Sequence, residues 1–282
     1  MDKGSGTLYI VSLPIGNLAD ITLRAIETLR SADFIIAEDT RTTKRILTRY
    51  RIGTPFYSSI YQGAERRRIE RLLDLLKTGK DLALVSDAGT PLISDPGYPL
   101  VRAAIERDIR VRPVPGPTAA IAALVASGLP PDRFTFLGPI PRRRGERRRL
   151  LERLKNEDKT AIVYASPHRL SATLGEIAEV LPERRLVLAR ELTKVHEEFI
   201  RGTASEVRER LDEERMRRGE SVLLIEGGEG KKTEIEQAER IAAILLAEGV
   251  SKRVIRLALT LGVGIGRNEA YRLIQRLNPD EP

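Results

Sequence analysis

Carboxylates and rigid turn formers follow one apolar run in a pattern typical of a ligand-binding loop. The run Leu82–Val85 is followed by SDAGTPLISDPG, which carries Asp87 and Asp95 among glycines and prolines. The change predicts a buried strand that ends in a shaped loop, and open α/β sheets bind ligands at the carboxyl ends of their strands. The loop lacks the Gly-Lys-Ser/Thr and Gly-x-Gly-x-x-Gly patterns of phosphate-binding turns. We therefore expect a ligand that is not a phosphate.

Three further segments, LPIGNL, AEDTRTTK and PVPGPTAA, end predicted strands or lead out of the first domain. Each alone could be an ordinary turn, since Gly and Pro are the usual turn formers. Parallel topology, however, places the carboxyl ends of all the strands on one side of the sheet. Proline fixes φ and glycine permits close backbone approach. Together the loops predict a rigid pocket lined by main-chain groups, with Ala88, Ile93 and Ala119 as its apolar walls.

The elements that must position these loops follow an α/β rhythm. Apolar strands at Leu8–Val11 and Phe34–Ala37 alternate with amphipathic helices, the first of them behind a predicted N-cap at Asp20. This alternation predicts a parallel, doubly wound sheet. The uncharged run Thr118–Gly128 is too short to span a membrane and predicts a buried helix.

A second series of strands, TAIVYAS, RLVLARE and SVLLIEGG, indicates a second α/β domain. From Glu234 onward the pattern is wholly helical, with three short helices. We predict three units: an amino-terminal α/β domain over residues 1–117, a carboxy-terminal α/β domain over 118–230, and a small helical tail over 231–282.

Composition excludes several classes of site. The 282 residues contain no cysteine and only two histidines, which excludes disulfides and thiolate chemistry and argues against a metal site. No run of uncharged apolar residues is long enough for a transmembrane helix, and the first residues lack the features of a signal peptide. We expect a cytoplasmic protein without bound metal.

The net charge of +8 is unevenly distributed. The segment PRRRGERRRLLERLK, from Pro141 to Lys155, holds seven arginines and follows a tight Gly-Pro turn. Such a cluster could simply be a solvated surface, but it also suits a nucleic-acid backbone, because guanidinium binds phosphate in a bidentate manner. We favour a polyanionic partner. The candidate contacts are Arg142, Arg143, Arg144, Arg147, Arg148 and Arg149, together with Arg169.

The segments PIGNLADITLRA, AEDTR, SDAGTPLISDPG, VPGPTAA and YASPHR, in this order and spacing, resemble the ribosomal RNA small subunit methyltransferase I family. That family belongs to the tetrapyrrole methylase-like S-adenosylmethionine-dependent methyltransferases. The resemblance implies two α/β domains, the second with a mixed sheet, and a cofactor cleft between them. It also implies a homodimer that methylates the 2'-hydroxyl of a cytidine in the decoding region of 16S rRNA, with the small ribosomal subunit as partner.

The resemblance also implies the residues that hold S-adenosylmethionine. A loop with carboxylates and no lysine is electrostatically sensible for a sulfonium, since opposite charges attract. The implied cofactor residues are Pro14, Gly16, Asp87, Ala88, Gly89, Ile93, Pro115, Gly116, Thr118, Ala119, Tyr164 and Ala165, with Leu192, Glu226 and Gly227 on weaker alignment.

Methyl transfer to a ribose hydroxyl needs alignment of the reacting atoms and help for a poor nucleophile. Candidate groups lie in AEDTR and ARELTKVHEE, where Glu191 and His196 also occur. Our hypothesis is that Asp39 accepts the proton or orients the hydroxyl, and that Lys194 or Arg41 stabilises the oxyanion. Glu197 completes the catalytic set, although all of these charges could instead form an ion-pair network between the domains.

Two alternatives remain open at this point. The same fold could serve a tetrapyrrole (precorrin) methylase or a diphthine-type protein methyltransferase, because fold does not determine function. The chain could also be a non-catalytic ribosome-binding protein on a methyltransferase scaffold. The arginine-rich segment and the helical tail favour RNA, and the intact loops favour a working cofactor site.

Overall fold

The computed structural model describes residues 4–59, 66–211, 219–228 and 230–278. The first sheet consists of β1 (Thr7–Val11), β2 (Phe34–Ala37), β3 (Phe56–Ser59), β4 (Leu82–Leu84) and β5 (Arg110–Val114). The strand order is β3-β2-β4-β1-β5, and every neighbouring pair is parallel. The connecting helices are α1 (Leu23–Ser31), α2 (Thr40–Arg49), α3 (Arg66–Lys77) and α4 (Tyr98–Ile105). The predicted parallel sheet is confirmed.

Helices cover both faces of this sheet. Successive strand residues point to opposite faces, so Leu8 packs in one cluster with Leu72 of α3, whereas Val11 packs in another with Leu29 of α1. All four side chains are fully buried. Strands buried on both faces read as continuous apolar runs, which is why the sequence pattern identified them.

The first helix begins two residues later than predicted. Asp20 ends a short 3-10 turn whose N-cap is Asn17. Thr22 is the N-cap of α1 instead, because its hydroxyl accepts a hydrogen bond from the Ala25 N–H at 3.1 Å. Both residue types are good caps, so composition alone did not separate them.

The second sheet is mixed, as the resemblance implies. Its strands are β6 (Phe134–Pro139), β7 (Thr160–Ala165), β8 (Leu186–Arg190), β9 (Glu198–Gly202) and β10 (Ser221–Ile225). The order is β6-β7-β10-β8-β9, with β6 parallel to β7 and the other pairs antiparallel. The helices associated with it are α5 (Ala119–Ser127), α6 (Arg144–Leu154), α7 (Leu170–Val180) and α8 (Ala204–Glu209).

Helix α5 joins the two sheets but is only half buried, which corrects the prediction of a buried helix. Ala123 and Leu124 pack on the second sheet, in a cluster that also contains Ile15 from the loop after β1. On the opposite face Ile121 is exposed, and Val125 is 74% exposed. These two side chains lie four residues apart and so share one helix face. The absence of charge in this run therefore does not reflect complete burial within one chain.

Three helical segments follow the second sheet: α9 (Gly230–Ala247), α10 (Lys252–Ala258) and α11 (Arg267–Leu277). A five-residue π-helical turn, Leu259–Val263, continues directly from α10. These segments bury a small core of their own that includes Ala238, Ile255 and Leu273. The strands of the two sheets thus fall within the predicted residues 1–117 and 118–230, and the domain boundaries themselves stay predictions. In the part of the chain that the structure describes, no helix is long and apolar enough to cross a membrane.

Candidate active site

A cavity of about 390 Å³ lies between the two sheets. Its first wall comes from the loops after β4 and β5, and its second wall comes from the ends of β7 and β10. The size and the mixed lining are typical of a small-molecule site. The predicted residues that line it are Ala88, Gly89, Ile93, Thr118, Ala119, Tyr164, Ala165, Arg169 and Leu192. Lining residues not assigned from sequence include Ile15, Thr90, Ser94, Asp95, Ser166, Glu220, Ser221 and Val222.

The loops of the first sheet are hydrogen-bonded to one another. The Leu13 N–H donates to the Gly89 carbonyl at 2.8 Å, and the Gly89 N–H donates back at 3.0 Å. Thr90 Oγ1 lies 2.9 Å from Ser12 Oγ and donates to the Pro117 carbonyl at 3.2 Å. The loops after β1, β4 and β5 therefore form one rigid wall, as the glycine and proline content predicted.

One glycine of this wall lines the cavity, whereas its other glycines and prolines lie outside the lining, where glycine lets the loops pack against one another. A Cβ atom on Gly116 would lie 2.8 Å from the Ser12 Cβ atom, so the loop after β5 needs glycine to approach the loop after β1. Gly89 has φ of +73° and lines the cavity directly. Pro14, Gly16, Pro115 and Gly116 are not among the cavity-lining residues, and their assignment to the cofactor stays a prediction.

Ile93 is presented to the cavity by an unusual backbone. Its neighbours Leu92 and Ser94 have φ of +74° and +77°, a left-handed conformation that L-residues rarely adopt. Leu192, on the facing loop, is also flanked by two such residues, Glu191 and Thr193. Strained backbone of this kind persists where the surrounding structure holds it, and it is concentrated at functional sites.

Gly16 connects the first-domain wall to the second domain. A Cβ atom at this position would lie 2.7 Å from Thr193 Oγ1 and 2.8 Å from the Leu192 carbonyl oxygen. The adjacent Asn17 N–H donates to Thr193 Oγ1 at 2.9 Å. The Pro-Ile-Gly-Asn segment is therefore a contact between the two domains across the mouth of the cleft.

Three carboxylates, Glu38, Asp87 and Asp95, interact at the first-domain edge of the cavity. Burial, with a smaller contribution from the charge of Asp87, raises the pKa of Asp95, which lines the cavity. Burial and then the charges of Asp95 and Asp87 raise the pKa of Glu38. Among the residues that the structure describes, none of the three forms a salt bridge. Burial disfavours the charged forms of Asp95 and Glu38, so a positively charged ligand would stabilise these two carboxylates.

Asp87 itself lies beside the cavity rather than in its lining. Its Oδ1 atom accepts a hydrogen bond from the Asp39 N–H at 2.9 Å, which ties the loop after β4 to the start of α2. Asp87 thus holds the two loops together and places a negative charge beside the cavity, and its assignment to the cofactor stays a prediction. The Ser-Asp pair occurs twice in SDAGTPLISDPG, and that repeat was the sequence signal for Asp95.

The second-domain wall presents polar atoms that have no partner. Ser221 is 6% exposed, and its Oγ atom is buried without a hydrogen bond to any described residue. The Arg169 Nε atom is also buried without a hydrogen bond to any described residue. Both side chains line the cavity, beside Tyr164, whose ring packs edge-on against Phe136 at 5.0 Å between centroids. Since unsatisfied buried polar groups are costly, these atoms indicate a ligand or water at this wall.

Asp39 and Arg41 form a local pair at the N-terminus of α2. The Arg41 Nη2 atom donates to Asp39 Oδ2 at 2.6 Å, and the Arg41 N–H donates to Oδ1 at 2.8 Å. The hydrogen bonds from Arg41 lower the pKa of Asp39 to about 2. A carboxylate with so low a pKa is a weak base, so the geometry favours the orienting role for Asp39 over proton abstraction.

Lys194 is held between two carboxylates at the rim of the cleft. Its Nζ atom lies 3.2 Å from Glu191 Oε1 and 3.1 Å from Glu220 Oε2. Glu197 Oε2 accepts a hydrogen bond from the Thr193 N–H at 2.7 Å, which closes the 191–197 turn. His196 is exposed. These ion pairs join residues of the second domain to one another, so they are not the network between the domains that the sequence left as an alternative, and Glu197 shapes the loop.

Glu226 and Gly227 do not reach the cavity, which corrects their assignment. In the antiparallel register of β10, Ser221 pairs with Ala165 at the cleft, and Ile225 pairs with Ala161 at the other end of β7. Gly227 lies beyond that far end, where a Cβ atom would meet the backbone of Asp158. The direction of β10 was not evident from its apolar run.

Arg147 is not available for RNA, which corrects another assignment. It is 5% exposed, and its Nε and Nη2 atoms donate to the two carboxylate oxygens of Glu176 at 2.8 and 2.6 Å. The other five arginines of the cluster, Arg142, Arg143, Arg144, Arg148 and Arg149, are exposed. A groove of about 560 Å³ beside them is lined by Arg144, His168 and Arg208, and it shares Pro167 with the cavity.

No cluster of three potential metal ligands occurs among the residues that the structure describes. The described residues of the cavity instead offer apolar walls, main-chain groups, carboxylates and the guanidinium of Arg169. This donor set suits an organic cation with a hydrogen-bonding periphery.

Comparisons with known proteins agree with the architecture. Residues 7–208 match the family model Tetrapyrrole (Corrin/Porphyrin) Methylases. The chain is 45% identical over 274 residues to a protein of Escherichia coli O157:H7 named Ribosomal RNA small subunit methyltransferase I, with 96% of this chain and 95% of the relative covered. A Thermotoga maritima protein of the same name is 46% identical over 224 residues, covering 79% of this chain and 100% of the relative.

Among solved structures, the uroporphyrin-III C-methyltransferase of Thermus thermophilus, complexed with S-adenyl homocysteine, superposes with a TM-score of 0.54. It is 18% identical, and the match covers 81% of this chain and all of that chain. At this identity the likeness is one of fold. The expected α/β architecture with two sheets and a cleft is confirmed.

Proposed function

The chain belongs to the tetrapyrrole methylase family and, within it, to the ribosomal RNA small subunit methyltransferase I group, and on that premise we propose that it methylates a cytidine 2'-hydroxyl in the decoding region of 16S rRNA. S-adenosylmethionine is the proposed methyl donor. The observation that carries the proposal is the 45% identity over 96% of the chain to a relative named for rRNA methylation. The cavity alone would suit several acceptors, since fold does not determine function.

The cavity fits the donor on its own chemistry. S-adenosylmethionine supplies an activated methyl group on a cationic sulfonium. Asp95 and the nearby Glu38 are partly desolvated carboxylates whose raised pKa values a cation would bring down again. Gly89 lets the donor approach the main chain, and Ile93 and Leu192 provide apolar surface from opposite walls. Ser221 Oγ, buried and unpartnered among the described residues, is a further contact for the donor or the acceptor.

Arg169 is the positively charged side chain among the described residues that line the cavity, and we assign it to the acceptor. Its Nε atom is buried without a partner among the described residues, and a guanidinium binds phosphate oxygens in a fixed geometry. Holding the phosphate next to the target ribose fixes the hydroxyl relative to the donor. Alignment of this kind supplies much of the rate enhancement in a displacement reaction.

The proposed roles of the catalytic set follow from their contacts. Asp39 and Arg41 act as a pair that orients the acceptor at the mouth of the cleft, since the low pKa of Asp39 makes it a weak base. Lys194 contributes positive charge at the opposite rim, partly neutralised by Glu191 and Glu220. Glu197 positions the loop that carries Leu192.

The RNA is proposed to follow the groove beside α6 into the cavity. This groove is lined by Arg144, His168 and Arg208 together with Glu176 and Glu179, and it meets the cavity at Pro167. The exposed arginines of α6 border it. Phosphate contacts of this type position a nucleic acid without reading its sequence. A homodimer also stays part of the proposal, since a second chain would cover the exposed Val125 face of α5.

The test is methyl transfer from tritiated S-adenosylmethionine to small ribosomal subunits from a strain that lacks the modification. Wild type should label one ribose of the decoding region, and Arg169→Gln should lower kcat/KM by about 100-fold, as loss of a buried charged contact does. The control is Arg49→Gln, which removes an exposed arginine at the far end of α2. Absence of label from wild type that binds the donor would contradict the proposal.

A further inference from the structure

The helical tail carries a further concave surface, distinct from the cavity and from the groove beside α6. This surface, the tail groove, has a volume of about 660 Å³ and lies between α10, the π-helical turn and α11. Its lining includes Arg253, Arg256, Arg267, Leu257, Leu261 and Tyr271. The match to the methylase family model ends at residue 208, so the tail groove lies outside the part of the chain that carries the family fold.

The tail groove is strongly basic. Residues 250–278 contain six lysines and arginines against one glutamate, Glu269. Arg253, Arg256 and Arg267 are exposed, and none of them forms a salt bridge with another described residue. Three uncompensated guanidinium groups around one concavity favour a polyanion.

The floor of the groove is apolar and exposed. Leu261 is 77% exposed and Tyr271 is 52% exposed, and Leu257 lies beside them. The Gln275 Nε2 atom donates to the Tyr271 hydroxyl at 3.1 Å, which holds the phenol ring in place. Exposed apolar and aromatic side chains inside a ring of arginines are the combination that binds unstacked bases.

One polar atom in the groove independently indicates a ligand. Thr260 Oγ1 is buried, and it has no hydrogen-bond partner among the described residues. Thr260 belongs to the π-helical turn, which replaces the regular end of α10 and lines the groove. Short π-helical segments occur frequently at functional sites. A ligand hydroxyl, amide or base edge would satisfy this atom.

We propose that the tail groove binds an unpaired segment of the rRNA substrate. Arg253 and Arg256 contact its phosphates, Tyr271 stacks on a base, and Thr260 Oγ1 bonds to that nucleotide. The inference rests on the proposed rRNA substrate and adds a second attachment point to it. The tail groove thereby contributes affinity, whereas the cavity between the sheets carries the chemistry.

The test compares Arg253→Gln/Arg256→Gln with Arg240→Gln/Arg272→Gln, which removes the same charge from exposed positions of the tail outside the groove. Binding to protein-free 16S rRNA and to unmodified small subunits is measured against KCl concentration. The groove variant should bind both at least about tenfold more weakly at 0.15 M salt, with a salt slope shallower by about one to two. Its kcat at saturating rRNA and its affinity for S-adenosylmethionine should match wild type.

Tyr271→Leu separates stacking from charge, because it keeps apolar volume and removes the aromatic ring. It should weaken binding about fivefold to 100-fold without changing the salt slope. Equal losses of rRNA affinity in Arg253→Gln/Arg256→Gln and in the control Arg240→Gln/Arg272→Gln would overturn the inference. So would a loss confined to assembled subunits, which would indicate a protein partner. If wild type neither bound nor methylated rRNA, the proposed function would fail first, and this inference would fail with it.

Discussion

At the scale of single residues, the protonation state of Asp39 decides which part it can take in catalysis. Its hydrogen bonds from Arg41 lower its pKa to about 2, below the ordinary value of 3.8. Asp39 is therefore charged throughout the working pH range. The ion pair between Asp39 and Arg41 is fully formed above about pH 4 and is lost only as the pH falls through about 2. The acid limb of the pH–rate profile should accordingly belong to another group.

Asp39→Asn should lower kcat by less than about tenfold, because a base this weak contributes little to proton transfer. The acid limb of the profile should keep its wild-type pKa. Steady-state methylation assays between pH 5 and 9 measure both quantities, with calorimetry to check donor binding. A loss of 100-fold or more with intact donor affinity would restore Asp39 as the base.

Residue types predicted those parts of the site whose geometry depends on the local backbone conformation. Gly89 and Ile93 lie in a loop whose glycines and prolines announce a shaped turn, and both line the cavity. Ser221 carried no such signal, because a serine before an apolar strand is common. Glu226 was assigned instead, since the end of β10 that faces the cleft depends on strand direction.

At the scale of elements, the two walls of the cleft meet in a close contact at Gly16, which leaves no room for a side chain at that position. Gly16→Ala would place a Cβ atom 2.8 Å from the Leu192 carbonyl oxygen, and backbone cannot yield as a flexible side chain can. We expect a loss of about 1–3 kcal/mol in stability and weaker donor binding. Thermal unfolding and calorimetry measure the two effects.

Gly53→Ala is the matched control, because a Cβ atom at that position meets no atom within 4 Å. It should leave both the melting temperature and the donor affinity close to wild type. If Gly16→Ala behaved like this control, the close contact between the domains would not be needed for the site.

The arginine-rich segment divides into structural and exposed members once α6 is packed on α7. Arg147 and Glu176 form a buried bidentate pair, so Glu176→Gln should cost about 3–5 kcal/mol by leaving a buried charge unpaired. Replacing both, as Arg147→Met/Glu176→Leu, should recover most of that loss. Glu179→Gln, which breaks the exposed pair with Arg148, should cost at most about 1 kcal/mol.

Denaturant unfolding of the three variants measures these differences in free energy. Equal losses for Glu176→Gln and Glu179→Gln would contradict the buried pair. The helical period carries a signal for Arg147, because it lies three, four and seven residues before Leu150, Leu151 and Leu154 and shares their buried face. The sequence analysis grouped all six arginines by charge alone and did not use this spacing.

At the scale of the whole molecule, the exposed arginines at the start of α6 and just before it, with the groove beside them, should dominate non-specific attraction to RNA. Arg142→Gln/Arg149→Gln should make the dependence of rRNA binding on salt shallower by about one to two, and should not affect donor affinity. Arg24→Gln/Arg49→Gln, exposed on α1 and α2, is the matched control for net charge. Identical slopes for the two double variants would remove α6 from the RNA path.

The overall architecture was predictable because its signals are repetitive. Alternation of apolar strands with amphipathic helices, as in Leu8–Val11 and the following α1, specifies a parallel sheet at many positions at once. The exposed face of α5 was not predictable, since an uncharged helix is equally suited to a core and to an interface between chains. Dimerisation and a cytoplasmic location stay predictions.

The position of β10 has a consequence for how the enzyme is made. This strand pairs with both β7 and β8, yet it is the last strand of the described chain to leave the translating ribosome. Until Ser221–Ile225 has emerged, β7 and β8 have no shared neighbour, and the wall that carries Ser221 does not exist. The nascent chain can thus complete its first sheet early, but it gains both walls of the cavity only after this strand has emerged. Fragments from premature stop codons before this strand would carry the first sheet and α5 without a working site.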